Sequence, residues 1–281
     1  MCLIAFHFAP GSNTPLTLVA NRDEFHARPA APLASWADAP WLVGGRDLEA
    51  GGTWLAVHRR GRFAAVTNVR DPRLAPPSGA PSRGALVREA LETDDLDGWL
   101  ERQRQGDALG YAGFNLLVGD ASAIWHLERQ YGGSRLSAVG AGLHGLSNAS
   151  LDTPWPKLCR VTDALAADIK ARAPGTPRTR ARFHDAQQAA DRHLPDTGIP
   201  LEQERRLSAA FIIGEEYGTR ATTHLTLHAD AGDAHFCLLE QRFGPRGRPM
   251  GETHQRVTIA GSTAQAQDAS ENGDRPDVSR P

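Results

Sequence analysis

Cys2-Leu3-Ile4-Ala5-Phe6-His7-Phe8, Pro10-Gly11-Ser12-Asn13 and Leu16-Thr17-Leu18-Val19-Ala20 open the chain as an apolar run, a turn cluster and a second apolar run. Short apolar runs separated by Pro, Gly and Asn read as two strands of a buried hairpin. A strand that starts at residue 2 is informative, because chain termini fray unless a sheet holds them. The second run passes directly into Asn21-Arg22-Asp23-Glu24, four strongly polar groups in succession. If the two strands pair antiparallel, this polar end lies beside Cys2.

Working outward, residues 28–40 are rich in Pro and Ala and read as a loop, while 53–57 and 62–68 flank Arg59-Arg60-Gly61 as a second hairpin. The pairs Gly44-Gly45 and Gly51-Gly52 suggest tight backbone turns. Residues 71–82 form a proline-rich surface loop, and 83–91 and 96–103 carry apolar spacing that suits short helices. Strands are predicted at 114–118, 123–127, 136–139 and 143–146. Leu158, Val161, Leu165 and Ile169 share one helical face, and a second helix is predicted over 181–194. Strands at 211–214, 222–227 and 235–240 close the pattern. Strands, short helices, strands, helices and strands in that order predict an α+β fold of two stacked, largely antiparallel sheets covered by helices. One domain is expected over residues 1–260. Residues 261–281 have almost no large apolar side chain and are rich in Ser, Asp, Gln, Asn and Pro, so they are predicted to be a disordered tail.

With 281 residues, 40% of them hydrophobic, the chain can bury a substantial single core. A formal net charge of -2 gives no global field to attract nucleic acid or an anionic membrane, which favours a small-molecule substrate or ligand. No secretory signal is evident, nor an apolar stretch of the ~18 residues that span a bilayer, so a cytoplasmic protein without integral membrane association is expected. Nothing fixes an oligomeric state. Cys2, Cys159 and Cys237 are odd in number and widely spaced, which describes neither a disulfide framework nor a zinc knuckle. His224 and His228 would share a strand face but lie about 13 Å apart, too far to hold one metal ion, and no metal site is expected.

The chemistry centres on Cys2. A small second residue is the situation in which the initiator methionine is removed, so the mature chain would begin with a free α-amine on a thiol-bearing residue. The amine titrates near ~7.7–8.0 and the thiol near ~8.5, so nucleophile and base would share one residue. By position alone Cys2 reads as a small buried core residue. The polar run at 21–24 shifts the balance toward a functional role: Arg22 would favour the thiolate and bind an anionic group, and Asp23 or Glu24 would orient the amine or the guanidinium. Neighbours on a strand face opposite ways, so two or three of the four would point at Cys2. Asn68, Asn115 and Asn148 sit at or near predicted strand ends, where each would serve as an oxyanion donor or as a turn cap. Arg220, in Tyr217-Gly218-Thr219-Arg220, reads as a carboxylate or phosphate ligand or as a solvated loop arginine.

Taken together, Met1-Cys2, Asn21-Arg22-Asp23-Glu24, Gly45-Arg46-Asp47, Gly51-Gly52-Thr53-Trp54, Phe114-Asn115-Leu116, Leu146-Ser147-Asn148, Pro154-Trp155-Pro156-Lys157 and Tyr217-Gly218-Thr219-Arg220 resemble the NRDE family, or transport and Golgi organisation protein two family. The resemblance runs over residues 1–259. That family is similar to the cysteine enzymes of the N-terminal nucleophile (Ntn) hydrolase superfamily, which include bile salt hydrolase and penicillin V acylase. The resemblance implies a four-layer αββα sandwich and C–N amide hydrolysis or acyl transfer, with no cofactor required. The cysteine, arginine, aspartate, two asparagines and late arginine of those enzymes fall here on Cys2, Arg22, Asp23, Asn68, Asn148 and Arg220; Cys2, Arg22, Asp23, Asn68 and Asn148 are the expected catalytic set, and Asn21, Glu24, Asn115 and Arg220 are expected as substrate contacts. Those enzymes carry an Arg-Asn pair before the acidic residue, so the acidic role falls to Asp23 or to Glu24. The family's association with haem mobilisation and with lipid or acyl-coenzyme A metabolism implies an alternative: a trafficking protein whose arginines grip haem propionates or acyl-coenzyme A phosphates.

Overall fold

In the computed structural model, which describes residues 2–74, 78–173, 175–230 and 232–260, the opening residues do form an antiparallel hairpin. The tail predicted over 261–281 lies outside the described residues. In chain order the strands are β1 (Cys2–Phe8), β2 (Leu16–Phe25), β3 (Ala30–Trp36), β4 (Ala39–Asp47), β5 (Leu55–His58), β6 (Phe63–Asn68), β7 (Phe114–Gly119), β8 (Ile124–Gln130), β9 (Gly133–Ala138), β10 (Gly142–Leu146), β11 (Tyr217–Asp230), β12 (Asp233–Phe243) and β13 (Pro249–Thr258). The helices are α1 (Arg83–Glu92), α2 (Leu96–Gln105), α3 (Pro156–Lys170), α4 (Pro177–Phe183) and α5 (Leu201–Leu207).

The strands make one sheet in the order β10-β1-β2-β11-β12-β13 and a second in the order β3-β4-β5-β6-β7-β8-β9, and every ladder is antiparallel. Alternation along β1 explains why its residues are apolar in succession: Ile4 and Phe6 face the other sheet, and Leu3 and Ala5 face the helices. Between the sheets, Ile4, Phe6 and Leu18 meet Val57, Phe63 and Leu117. Outside the first sheet, Leu3, Ala5 and Val19 pack on Leu158, Val161 and Leu165 of α3 and Phe183 of α4. Outside the second, Ala64, Leu116 and Val118 pack on Leu86, Val87 and Leu100 of α1 and α2. Three apolar interfaces thus hold four layers, helix, sheet, sheet and helix, each fully buried Leu, Ile or Phe contributing about 1.5–3 kcal/mol. No helix among the described residues is long and apolar enough to cross a membrane.

The expected elements need correction: Gly44 and Gly45 lie inside β4 and not in a turn, and α5 is not among the expected helices. The loop read at 28–40 is most of the β3 to β4 hairpin; its Pro32 is tolerated because β3 is an edge strand, with only Leu33 and Trp36 buried. The helix read at 181–194 ends at Phe183, because the backbone beyond it bonds elsewhere: Phe211 N–H donates to Asp185 O at 3.0 Å and Ala189 N–H to Ser208 Oγ at 2.9 Å. Residues 211–214 are not a strand. β13, a polar edge strand in which only Val257 is buried, went unread.

Candidate active site

β2 lies between β1 and β11 and is buried from Leu16 to Asp23, so Asn21-Arg22-Asp23-Glu24 falls inside the strand and not beyond its end. The register sets Cys2 directly opposite Arg22. Both line a cleft of about 120 Å³ between the sheets, with Asp23, Glu24, Arg28, Thr53, Trp54, Asn68 and Arg83 around it. Asn21, one residue along, points to the helical layer. There its Nδ2 donates to Phe183 O and Ala210 O, both at 2.8 Å, and its Oδ1 accepts from Thr222 Oγ1 at 2.7 Å. Asn21 therefore ties β2 to the helices and does not reach the cleft.

The Arg22 guanidinium lies 4.3 Å from the centre of the Trp54 ring, a stacked cation and aromatic face that fixes its position. Trp54 is placed by backbone geometry on its strand's flanks. Thr53 Oγ1 donates to Gly45 O at 2.6 Å, and Gly52 lies so close to Gly84 that an added Cβ would sit 2.5 Å from the Gly84 carbonyl carbon. This contact brings the N-terminal turn of α1 and Arg83 to the cleft, where Arg83 NH1 donates to Gly113 O at 3.2 Å. Arg28 on the rim pairs with Asp47 at 2.8 Å and Glu49 at 3.0 Å. Neither Arg22 nor Arg83 forms an ion pair among the described residues, while Asp23, Glu24 and Asp47 line the same cleft as Arg22, Arg28 and Arg83, so the thiol sits among charges of both signs.

Burial pushes the Cys2 thiol above the usual range, against the opposing pull of Arg22 and of the Asp23 backbone N–H. Burial likewise raises the Asp23 carboxyl, whose Oδ1 accepts from Thr219 Oγ1 at 2.7 Å while Lys157 and Arg70 favour its charged form. Lys157, on α3, is itself brought down to about 8 by burial, with Asp23 pulling the other way, and donates to Leu207 O at 2.9 Å. Tyr217 OH donates to Asp23 O at 3.2 Å. A buried polar chain of Lys157, Asp23, Thr219 and Tyr217 thus supports the cleft from the helical side.

The asparagines divide. Asn68, at the end of β6, lines the cleft. Asn148 lies behind it: its Nδ2 donates to Asn68 O at 2.9 Å, and its side chain lines a neighbouring groove beside Arg70 and Trp155. Asn115 is fully buried, its Nδ2 donating to Ala149 O at 2.9 Å and to Thr67 Oγ1 at 3.2 Å, while its Oδ1 meets His126 Nε2 at 3.1 Å. It shapes the 147–149 segment and makes no contact with the cleft. Arg220 sits at a β-bulge in β11, where its NH1 donates to Phe25 O at 3.1 Å and to Arg28 O. It lines an adjoining pocket of about 260 Å³ that shares Arg22 and Trp54 with the cleft. Trp54, Arg83 and Lys157 were missed as site residues; Trp54 and Lys157 lay within quoted motifs, but only the packing gives them roles.

A sequence model described as transport and Golgi organisation 2 matches residues 1–244. The chain belongs to the transport and Golgi organisation 2 family. The transport and Golgi organization protein 2 homolog of Bos taurus is 35% identical over 252 residues, covering 82% of this chain and 90% of that protein. The homolog of Homo sapiens is 34% identical over 251 residues, with the same coverage of 82% and 90%. Among solved structures, a mutant conjugated bile acid hydrolase from Clostridium perfringens is similar with a TM-score of 0.44 at 7% identity, covering 92% of each chain. In this member of the transport and Golgi organisation 2 family, Cys2 meets Arg22, Asp23 and Glu24 in one cleft between the sheets.

Proposed function

We propose that the protein is an N-terminal cysteine amidohydrolase or acyltransferase acting on the C–N bond of a small molecule that carries an anionic group near the scissile carbonyl. The observation that carries this reading is the placement of Cys2 opposite Arg22 in a cleft that Arg83 and Asn68 also line. Removal of Met1 would leave the α-amine on Cys2 as the base. The amine takes the thiol proton, the thiolate attacks the carbonyl carbon, and the Asn68 amide steadies the oxyanion. The ammonium then protonates the departing nitrogen, the C–N bond breaks, and water or another acceptor releases the acyl group from the thioester.

A volume of about 120 Å³ holds little more than the reacting group, since pockets for whole drug-sized ligands run to about 300–1,000 Å³. The rest of the substrate would extend past Arg22 and Trp54 into the adjoining pocket, which offers Pro32, Phe243 and Met250 as apolar walls and Arg220 and Arg242 as cations. The guanidinium groups of Arg22 and Arg83, neither of them in an ion pair among the described residues, also favour a second reading, in which a carboxylate or phosphate, such as those of haem or acyl-coenzyme A, is held without turnover. The two separate on one experiment. Incubation with a panel of N-acyl amino acids, quenched in acid and analysed by mass, yields a Cys2 thioester if the enzyme reading holds. Saturable binding of these compounds, lost in Arg83→Gln but without any acyl adduct or turnover, would establish the second reading instead.

A further inference from the structure

His224 and His228 lie about 13 Å apart along one strand face at ~3.3 Å per residue, too far to share a metal ion. The relevant neighbours come from the adjacent strand. In the β11 to β12 ladder His228 faces His235 and Thr226 faces Cys237, so alternation puts His228, His235 and Cys237 on one face. Their ligand atoms all lie within 4.8 Å of one another. This face is the one turned away from the other sheet, because Leu225, Leu227, Phe236 and Leu238 of the same strands fill the core between the sheets.

We infer that His228, His235 and Cys237 form a binding site for a zinc ion, with a fourth position open to the cavity beside them. Two imidazoles and a thiolate are a donor set suited to Zn²⁺, and three protein ligands with one open position are the arrangement of reactive, as opposed to purely structural, zinc. His235 Nδ1 meets Asp233 O at 2.7 Å, the backbone contact that keeps a proton on Nδ1 and leaves the Nε2 lone pair for a metal. Arg256 faces Cys237 across the β12 to β13 ladder and is itself held by Asp233 at 2.8 and 2.7 Å.

The two rings stack at 4.8 Å with 18° between their planes. Zinc bond lengths near 2.0–2.3 Å require donor separations of about 3.5 Å, so binding draws the donors together by about 1 Å and tilts the rings toward each other. The open position faces a cavity of about 860 Å³ that His228 and Cys237 line along with His224 and Thr226. The site lies about 20 Å along the sheet from the Cys2 end of β2 at ~3.3 Å per residue, on the opposite face, and is independent of the amidohydrolase reading.

The test uses Co²⁺ as a spectroscopic substitute, titrated into the full-length protein after chelation and desalting. One Co²⁺ per chain is expected, with a thiolate-to-cobalt charge-transfer band in the near ultraviolet that one equivalent of Zn²⁺ displaces. The band should vanish in Cys237→Ser, persist in Cys2→Ser and Cys159→Ser, and require at least about tenfold more Co²⁺ in His235→Asn. Protection of Cys237 from iodoacetamide by Zn²⁺ in the unmutated protein, read by peptide mass, gives the same answer without any substitution. No band and no protection, a band that survives Cys237→Ser in a folded variant, or a band lost in Cys2→Ser would each overturn the assignment.

Discussion

Gly45→Ala tests whether the Trp54 and Arg22 stack is the wall that defines the cleft. A Cβ on Gly45 would sit 2.3 Å from Trp54 Cη2 and 2.5 Å from Cζ2, so reaching the 3.4 Å of ordinary contact demands that the ring retreat by about 1.1 Å. The indole cannot swing freely, because the Arg22 guanidinium lies 4.3 Å from its ring centre. Overpacking of this kind costs about 1–3 kcal/mol. For a chain of this size that is a fall in Tm of roughly 3–10 °C by differential scanning fluorimetry. Displacing Arg22 also removes a cation facing Cys2, so alkylation of Cys2 by iodoacetamide should slow at pH 7. Gly140→Ala, where an added Cβ meets nothing within 4 Å, is the control and should leave both readouts unchanged. A native Tm together with native Cys2 alkylation in Gly45→Ala would refute the reasoning.

Three further outcomes are expected. Arg70 and Glu204 form an ion pair with side chains only 5% and 4% exposed, so Glu204→Gln leaves a buried guanidinium unpaired and should cost about 3–5 kcal/mol in urea unfolding, a loss below 1 kcal/mol counting against the pair. His126 is brought down to about 4 by burial, so the unfolded chain binds the extra proton between the ordinary value of ~6.5 and pH 4, and stability is lost as pH falls through that window. His126→Gln should flatten the loss seen in urea midpoints at pH 7 and 4.5, and an undiminished slope would contradict the assignment. Because burial raises the Cys2 thiol, its alkylation rate should turn upward above the ordinary ~8.5, and a midpoint at or below pH 7 would show that the cations outweigh burial.

The layered fold was legible because its central strands are buried on both faces. Cys2 to Phe8 and Leu16 to Ala20 are apolar at successive positions, a signal that turn residues bracket cleanly. Edge strands lack that signal: β3 buries only Leu33 and Trp36, and β13 only Val257, so both read as loop or polar chain. The pairing of Cys2 with Arg22 followed from the hairpin alone, whereas the roles of the asparagines did not. Asn21, Asn115 and Asn148 bond to carbonyls of Phe183, Ala149 and Asn68, partners 34 to 162 positions away, and no local pattern encodes such contacts. Arg83 illustrates the same limit. It opens a helix whose approach to the cleft depends on Gly52 and Gly84 allowing two backbones to touch.

The central claim is that Cys2 becomes the first residue and is the reactive thiol. Intact mass of the purified protein, followed by reaction with a thiol-selective acyl probe and peptide mapping, tests it most directly. Loss of Met1 and a single acyl group on Cys2, absent from Cys2→Ser, are the expected results. Retention of Met1, or labelling confined to Cys159 or Cys237, would contradict it.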